Sequence, residues 1–317
     1  MANSTRTLGI LVGVDWSASS RLAVRWAAHE ATMRNVPLTL VHVILAQLWR
    51  LNVFGAHAVS AASGLSQQQE AAGQKVIADA VKVVEGSLAF GPRPQIDSRL
   101  LLGPPVSTLV DLSKDAQMVA LGCRGEGMLD RVLLGSVSTG LVHHAHCPVA
   151  VIHDFAPGSM RLSQRPVLVG IDGSPASELA TAIAFDEASR RGVGLIALHA
   201  WSDADLFEIG TTEWSAQEAD AVESLAERLA GWQERYPDVS VDRRIVSGHP
   251  ARHLLDAAES AQLVVVGNRG RGGFAEMLLG SVSTAVVHAA RVPVIVARSW
   301  QPTGLPPMSS VSTYPST

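Results

Sequence analysis

The segment "QLVVVGNRGRGGFAEMLLGSVST", residues 262–284, joins a short apolar run to a stretch that contains five glycines. The run "QLVVVG" is typical of a strand that is buried on both faces of a sheet, because no polar residue interrupts it. A second copy, "QMVALGCRGEGMLDRVLLGSVST", occupies residues 117–139. The two copies lie 145 positions apart, so the chain repeats a unit of domain size.

The repetition extends over most of the chain. The segment "GILVGVDWSASS" at residues 9–20 matches "PVLVGIDGSPAS" at residues 166–177, which is an offset of 157 positions. Further along, Gly103 matches Gly248 at the smaller offset of 145. The offset falls because the first copy carries about a dozen extra residues, which we place near 46–68.

The repeat predicts two tandem domains built from alternating strands and helices. The domains are expected at residues 6–153 and 166–298, with a linker at 154–165 and a disordered tail, rich in Pro, Ser and Thr, at 299–317. Apolar runs predict strands near 8–14, 38–44, 96–102, 117–122, 148–152, 166–171, 193–200, 239–246, 262–267 and 292–297. Helical periodicity in the second copy predicts helices near 176–191, 214–235, 250–260 and 281–290.

The order of these elements predicts the fold. Strands that alternate with helices form parallel sheets with right-handed crossovers, and uninterrupted Val, Ile and Leu runs suit strands covered by helices on both faces. We therefore expect an α/β protein of two tandem doubly wound domains, Rossmann-like or flavodoxin-like. Each domain should contain a five-stranded, mostly parallel sheet with helices on both faces.

Composition narrows the class of protein. The 317 residues are 47% hydrophobic and 17% charged, which is typical of a well-cored globular protein. The net charge of -4 provides no electrostatic basis for binding nucleic acid or an anionic membrane. The apolar run near the start is too short for a signal sequence or a membrane span, and two cysteines form no disulfide framework. We expect a cytoplasmic protein with no membrane insertion.

Neither of two familiar phosphate-binding motifs fits the glycine-rich segments. The P-loop requires a lysine directly after a glycine, and none of the three lysines, Lys75, Lys82 and Lys114, follows one. The dinucleotide fingerprint places its glycines after the first strand of the unit, whereas these glycines follow the fourth. A different arrangement of the backbone must therefore explain the glycines.

The two segments share Gly-x-x-Gly, nine further residues, and then Gly-Ser at 135–136 and 280–281. Glycines leave backbone N–H groups unshielded, so successive amides can converge on an anion. Ser136 and Ser281 are expected to be the N-caps of the next helices, whose first N–H groups have no partner within the helix. Together these features predict a phosphate site. The alternative is a tight strand-to-helix connection with a serine cap.

These motifs resemble the nucleotide-binding signature of the universal stress protein family. The resemblance extends to the strand-end Asp and following Ser in "VGVDWS" and "VGIDGS", to "LVHV" and "ALHA", and to the closing strands "CPVAVI" and "VPVIVA". It covers nearly all of residues 6–298. It implies a tandem protein that binds ATP, with or without Mg²⁺, at the carboxyl edge of each sheet.

The resemblance also implies roles for individual positions. Asp15 and Asp172 should meet the adenosine end of the nucleotide, and the backbone at Val43 and Ala200 should contact adenine. The glycine-rich loops and the helix starts that follow them should hold the ribose and the phosphates. The alternatives are that the aspartates form a turn or a helix cap, and that Val43 and Ala200 belong to the core of their strands.

The nucleotide-binding residues implied in each copy are as follows. In the first copy they are Gly13, Asp15, Val43, Gly103, Gly122, Cys123, Arg124, Gly125, Glu126, Gly127, Gly135, Ser136, Val137 and Ser138. In the second copy they are Gly170, Asp172, Ala200, Gly248, Gly267, Asn268, Arg269, Gly270, Arg271, Gly272, Gly280, Ser281, Val282 and Ser283. No catalytic residue and no metal ligand is assigned.

The two copies differ inside the glycine-rich loop, where Glu126 corresponds to Arg271. A carboxylate about 4 Å from a phosphate charge costs on the order of 4 kcal/mol at an effective dielectric of about 20. Glu126 must point away, recruit a divalent cation or weaken its site, so we expect the second site to be the tighter one. Cys123 replaces Asn268 and is either a redox-sensitive thiol or a small residue that fills the loop.

The function indicated is that of an ATP-binding stress-response regulatory protein, whose nucleotide controls conformation, assembly or the binding of a regulatory protein partner. A slow ATPase or nucleotidyl-transfer enzyme and a nucleotide-free interaction scaffold are the alternatives. The loops contain neither a P-loop lysine nor a dedicated acidic metal pair, which favours binding without efficient hydrolysis. The resemblance also implies that the two closing strands pair, internally or in a homodimer.

Overall fold

The computed structural model describes residues 7–45, 56–88, 92–124, 134–153, 164–201, 214–271 and 278–298. The first half contains β1 (Ile10–Gly13), α1 (Ala18–Arg34), β2 (Leu38–Ile44), α2 (Ala56–Ser87), β3 (Ile96–Leu102), α3 (Pro105–Leu112), β4 (Met118–Gly122), α4 (Ser136–His144) and β5 (Val149–Ile152). The second half contains β6 (Val167–Ile171), α5 (Pro175–Arg191), β7 (Leu195–Trp201), α6 (Trp214–Arg235), β8 (Val241–Ser247), α7 (Pro250–Ala258), β9 (Leu263–Gly267), α8 (Ser281–Ala289) and β10 (Val294–Ala297).

The ten strands form one sheet in the order β3-β2-β1-β4-β5-β10-β9-β6-β7-β8. Within each half all neighbouring strands are parallel, and the half has the order 3-2-1-4-5 of a Rossmann-like unit. The halves meet where β5 and β10 pair antiparallel, with Ala150 opposite Ile295. The predicted tandem α/β fold is confirmed. The expected pairing of the closing strands is also confirmed, and it occurs within the chain.

Helices cover both faces of the sheet, as the apolar strand sequences predicted. Helices α1, α2, α5 and α6 pack with Ile10 and Val12 in one buried cluster, which continues through both halves. Helices α3, α4, α7 and α8 pack with Leu11 and its neighbours in the cluster on the opposite face. Successive strand residues point to opposite faces, so a strand buried on both sides needs an unbroken apolar run.

Helix α2 accounts for much of the extra length in the first copy. It contains 32 residues, whereas its counterpart α6 contains 22. The predicted insertion near 46–68 therefore corresponds in part to an N-terminal extension of α2, while residues 46–55 lie outside the described residues. Among the helices of the described ranges, none combines the length and the apolar character that a membrane span requires.

Helices α1 and α5 meet across the pseudo-twofold axis through a buried ion-pair cluster. The Arg34 guanidinium contacts Glu30 Oε1 at 2.6 Å and Glu187 Oε1 at 2.5 Å. The Arg191 guanidinium contacts Glu30 Oε2 at 2.7 Å and Glu187 Oε2 at 2.9 Å. Both glutamate side chains are fully buried. Two guanidinium groups thus face two carboxyl groups between the halves, so the buried charges are paired, as buried charges must be.

Protonation of the two glutamates is coupled. Burial, and then the carboxylate of Glu187, raise the pKa of Glu30 to about 7. Burial also opposes ionisation of Glu187, but Arg191 and Arg34 together outweigh it and lower the pKa of Glu187 to about 2. The two carboxyl groups hydrogen-bond to each other, so the pair holds one proton between these two pKa values.

Candidate functional site

The first half contains a cavity of about 360 Å³ at the carboxyl ends of β1 and β4. The chain leaves β1 toward β2 on one side, and β4 lies on the other side, so the cavity sits at the switch point of the sheet. Open α/β sheets bind ligands at such points. The described residues that line the cavity are Gly13, Val14, Asp15, Ser20, Val41, His42, Val43, Pro105, Leu109, Leu121, Gly122, Arg124, Gly135, Ser136, Val137 and Ser138.

Nine of the residues implied by the sequence line this cavity. They are Gly13, Asp15, Val43, Gly122, Arg124, Gly135, Ser136, Val137 and Ser138. Gly103 is not among the lining residues and lies in the turn between β3 and α3, where its N–H donates to Ile44 O. Gly125, Glu126 and Gly127 lie outside the described residues. The structure thus brings residues from four separate segments of the first half to one place.

The starts of α4 and α8 correct one prediction. Ser136 and Ser281 were expected to be N-caps, but the N-cap residues are Gly135 and Gly280, whose backbone is extended. The carbonyl of Gly135 already accepts the first helical hydrogen bond, from the N–H of Thr139 at 2.9 Å, which is the role of an N-cap. The prediction was wrong by one residue in both copies.

A glycine cap has a chemical consequence. Neither Gly135 nor Gly280 makes a side-chain capping hydrogen bond. By contrast, α1 and α5 are capped by Ser17 and Ser174, whose hydroxyls accept from the third residue of their helices. The first N–H groups of α4 and α8 therefore remain available to an anion, at the positive end of the helix dipole.

Serine hydroxyls in the first turn of these helices serve another purpose. The buried Ser138 hydroxyl donates to Gly122 O at 2.7 Å, and the Ser283 hydroxyl donates to Gly267 O at 2.6 Å. Each bond ties the first turn of a helix to the end of the preceding strand. The hydroxyls thus fix where the helix starts, and their protons are already engaged.

The glycine-rich loops supply fewer amides than the sequence suggested. The N–H of Cys123 donates to Ile152 O at 2.8 Å, and that of Asn268 donates to Ala297 O at 3.1 Å. The Cys123 side chain is buried in the apolar cluster. This burial favours the alternative in which Cys123 is a small residue that fills the loop over the alternative of a redox-sensitive thiol.

Gly122 and Gly267 are needed for packing. A Cβ at Gly122 would lie 2.6 Å from the backbone carbon of Ser19, and one at Gly267 would lie 2.8 Å from that of Ala176. Real Cβ atoms do not approach backbone so closely, so any side chain would push the end of the strand away from the helix. These glycines allow α1 and α5 to begin directly above β4 and β9.

The two strand-end aspartates are held in the same way. The Asp15 N–H donates to Ser20 Oγ at 3.0 Å, while Asp15 Oδ1 accepts from the N–H of Ser17 at 2.9 Å. Asp172 Oδ1 accepts from the N–H of Ser174, also at 2.9 Å. Each carboxylate thus forms an Asx turn that leads into the next helix. This geometry fixes the direction in which the carboxylate points.

Serines after the aspartates were missed as site residues. The Ser19 hydroxyl donates to Arg124 O at 2.5 Å, and the Ser174 hydroxyl donates to Arg269 O at 3.3 Å. They hold the start of each glycine-rich loop against the helix that follows the first strand. The signal was present in the runs "DWSASS" and "DGSPAS", which contain more serine than one helix cap requires.

His42 and His199 fix the second strands to the first. The Nδ1 atom of His42 lies 2.7 Å from Val14 O, and that of His199 lies 2.7 Å from Ile171 O. A carbonyl oxygen can only accept, so Nδ1 must carry the proton in both rings. Each histidine thus holds the second strand of its half to the first through a main-chain carbonyl.

The second half has a differently shaped site. Its cavity, about 460 Å³ and more open, lies between the starts of α7 and α8. The lining residues are His249, Pro250, Ala251, Arg252, Ser281 and Val282. Ser281 and Val282 are the implied residues among them. Ala200 is packed at the margin of the apolar cluster, Gly248 lies in the turn after β8, and Gly272 lies outside the described residues.

In the second half the loop folds back onto the aspartate. The Arg271 N–H donates to Asp172 Oδ2 at 3.2 Å, and a Cβ on Gly270 would lie 2.5 Å from the same oxygen. The Arg271 guanidinium extends over Gly173, where the Arg228 guanidinium also lies. Both oxygens of Asp172 therefore have partners within the protein, and two positive groups lie beside them.

Comparison with known proteins agrees with this architecture. The chain matches the model of the universal stress protein family twice, over residues 9–153 and 164–298. It is 52% identical over 301 residues to universal stress protein Rv2623 of Mycobacterium tuberculosis strain H37Rv, covering 94% of this chain and 99% of that protein. A universal stress protein of Mycolicibacterium smegmatis is 50% identical over 303 residues, with coverage of 94% and 99%.

A solved structure shows the same fold over nearly the whole chain. The crystal structure of a universal stress protein from Archaeoglobus fulgidus superposes with a TM-score of 0.62 at 22% identity. The match covers 92% of this chain and 98% of that one. With two matched domains and relatives that align over almost their full length, this chain belongs to the universal stress protein family, as a tandem member with two copies of the domain.

Proposed function

We propose that this chain is an ATP-binding regulatory protein of the stress response, in which nucleotide occupancy controls conformation, assembly or the binding of a protein partner. The observation that carries the proposal is the cavity at the switch point of the first half, which the uncapped start of α4 borders. Its volume of about 360 Å³ lies within the range of small-molecule sites, which is roughly 300–1,000 Å³.

The lining of the cavity has the polarity that a nucleotide requires. Val41, Val43 and Leu109 provide apolar surface that suits a base. Asp15, whose carboxylate is oriented by Ser17, suits the hydroxyls of a ribose. The first N–H groups of α4 and the neighbouring Arg124 suit phosphate oxygens, with or without Mg²⁺. The base and the phosphates are thus assigned to chemically different parts of one cavity.

The same cavity does not favour efficient hydrolysis. Phosphoryl transfer to water requires a positioned water, a residue that orients it, and usually metal ligands. Asp15 is the acidic residue among the described lining, and one of its oxygens is already held by Ser17. We therefore propose binding with at most slow turnover, so that the bound nucleotide acts as a signal.

Assembly as a homodimer would use a face other than the closing strands. Strands β5 and β10 are hydrogen-bonded to each other within the chain, so neither presents a free edge to a second copy. A dimer or a regulatory partner would therefore bind the helical faces or the outer strands β3 and β8. Size-exclusion chromatography with and without ATP tests whether occupancy changes assembly.

Titration calorimetry of the full-length protein with ATP, GTP and adenosine tests the proposal. We expect ATP to bind more tightly than adenosine, because the phosphates reach α4 and α8. We also expect ATP to bind more tightly than GTP. A phosphate-release assay on the same sample should show little turnover. If ATP and adenosine bind equally, the assignment of the helix starts is wrong. If phosphate is released rapidly, the protein is an enzyme and the regulatory proposal fails.

A further inference from the structure

The residues that follow the two closing strands occupy equivalent positions but differ in chemistry. His153 follows β5 and Arg298 follows β10, at the same offset of 145 that relates the glycine-rich loops. Both side chains cross from their own half to the other. No pattern in the sequence indicated a role for either residue, because each lies at the end of its repeat.

Arg298 contacts the end of the last helix of the first half. Its Nε donates to Ala145 O at 2.9 Å, and its Nη1 donates to Val142 O. Both carbonyls belong to the C-terminal end of α4, where the helix has no N–H donors of its own left to offer. A positive group at this end of a helix also interacts favourably with the helix dipole. Arg298 is therefore a C-cap supplied by the other half.

His153 makes the equivalent contact with the second half. Its Nε2 lies 2.9 Å from Val287 O, near the end of α8, and its Nδ1 lies 3.2 Å from Val292 O. The residue as a whole is 9% exposed. Both ring nitrogens face carbonyl oxygens, which only accept. A neutral imidazole carries one N–H, so only the imidazolium can donate to both.

Each of these helices has its other end at a candidate nucleotide site. Helices α4 and α8 contain nine residues each, which is about 14 Å of helix. The N–H groups at the start of α4 face the first site, while its end is held by Arg298. The start of α8 faces the second site, while its end is held by His153. A short helix thus links each site to a cation from the opposite half.

The charged groups around His153 are basic. His153 contacts α8, which carries His288, and the turn before β10, which carries Arg291. Arg124 lies two residues after the end of β4, which is the strand next to β5. Asp154 follows in the sequence and lies outside the described residues. The two carbonyl oxygens and the negative end of α8 are therefore the described groups that favour the charged ring.

We propose that Arg298 is a positioning residue for α4 and that His153 is a positioning residue for α8. Through His153, nucleotide binding in the second half weakens as the pH rises, whereas binding in the first half lacks this dependence. The proposal rests on the proposed function, because it concerns the affinity of the same sites. Arginine keeps its charge at every physiological pH, while histidine changes its charge between about pH 5 and 8.

The direction of the pH effect follows from the protonation state of His153 that makes both hydrogen bonds. Only the protonated ring can donate to both carbonyl oxygens, so the paired contact is complete at low pH and is lost as the pH rises and the ring loses a proton. Loss of the proton breaks one hydrogen bond and sets a ring lone pair against a carbonyl oxygen. The end of α8 is then less firmly held. We expect affinity at the second site to fall by roughly two- to tenfold between about pH 5.5 and 8.5.

Two reciprocal substitutions test this proposal. His153→Arg gives α8 a permanent cation, and Arg298→His gives α4 a titratable one. ATP affinity is measured by calorimetry from pH 5.5 to 8.5 for each site, with the other site blocked by Ser136→Glu or Ser281→Glu. We expect His153→Arg to reduce the pH dependence of the second site, whose lining also includes His249, and Arg298→His to create a pH dependence at the first. The pH dependence of ATP affinity at the first site of the unaltered protein is the reference for titration of the ATP phosphates. His144→Arg is the control for the effect of an added positive charge nearby.

The protonation state of His153 can also be measured directly in the unaltered protein, so the test does not depend on variants that fold. Nitrogen NMR of the ¹⁵N-histidine-labelled full-length protein should show both ring nitrogens of His153 protonated at pH 6. A neutral His153 ring at that pH would overturn the proposal, as would equal pH dependence at the two sites. If ATP binds at neither site at any pH, the proposed function fails and this proposal fails with it.

Discussion

The candidate sites of the two halves differ in how the strand-end aspartate is used. In the first half Asp15 lines a cavity and is held through one oxygen by Ser17. In the second half both oxygens of Asp172 accept hydrogen bonds from the chain, one of them from the glycine-rich loop at Arg271. Shape thus favours the first site and positive charge favours the second. A duplicated fold fixes where the sites lie, while single loop residues decide what each site offers.

The starts of α4 and α8 should make the largest difference to binding. Ser136→Glu places a carboxylate in the first turn of α4, where an acid stabilises the helix but repels phosphate. Unit charges about 4 to 8 Å apart interact by about 2 to 4 kcal/mol at an effective dielectric of about 20. Calorimetry should show roughly a 30- to 1,000-fold loss of ATP affinity at the first site. Ser281→Glu should do the same at the second site only.

Ser136→Gln and Ser281→Gln are the matched controls, because they add similar bulk without charge. They should retain most of the affinity. A glutamine variant that loses as much as the glutamate variant would point to a steric cause, and the assignment of the helix starts as phosphate sites would have to be abandoned.

Arg271 should make the second site the tighter one. Arg271→Gln removes a cation that lies beside Asp172 and the loop. We expect roughly a tenfold loss of ATP affinity at the second site, the lower end for a charge-assisted hydrogen bond, because Arg271 is exposed and water screens it. Adenosine, which lacks phosphates, should bind as before. An equal loss for adenosine would show that Arg271 acts through the shape of the loop.

The ion-pair cluster between the halves should make stability depend on pH. The pKa of Glu30 is raised from 4.5 to about 7, so its contribution is complete below about pH 4.5 and is lost as the pH rises through about 7. Glu30→Gln is neutral at every pH and should flatten this fall, which amounts to at most about 1.4 kcal/mol per pH unit. Urea unfolding between pH 5 and 8.5 measures it.

Glu187→Gln is the symmetric counterpart of that change. Because the two carboxyl groups share one proton, this variant should flatten the same part of the curve. His153 is unaltered in both variants, so its own contribution is common to all three proteins. An undiminished slope in both variants would contradict the shared proton.

The smallest expected effect concerns the serine that only the first half has. Ser19 donates to Arg124 O, whereas Ala176 occupies the equivalent position in the second half. Ser19→Ala should weaken ATP binding at the first site by less than about tenfold, since one neutral hydrogen bond contributes about 0.5 to 1.5 kcal/mol. Ala176→Ser should strengthen the second site by a similar or smaller factor. No change in either variant would show that the loop is held by other contacts.

The sequence predicted the fold well, because strand runs, glycines and the repeat are local signals. It placed Asp15, Val43 and the start of α4 around one cavity. It placed the N-caps one residue too late, because Gly-Ser can begin a helix at either residue, and the extended backbone of Gly135 decides the matter.

Other features depended on tertiary contacts. The N–H of Cys123 is taken by Ile152 of the neighbouring strand, and His153 reaches α8 of the other half. Neither contact leaves a periodic or local pattern in the chain. The serines after Asp15 did leave a local pattern, the run "DWSASS".

Native mass spectrometry of the full-length protein with ATP tests the central claim most directly, because it counts nucleotides on each chain. We predict two bound ATP molecules per chain, one in each single variant with Ser136→Glu or Ser281→Glu, and none when both changes are combined. A chain that binds no ATP, or a count that both changes together leave unaltered, would contradict the claim that the starts of α4 and α8 form the nucleotide sites.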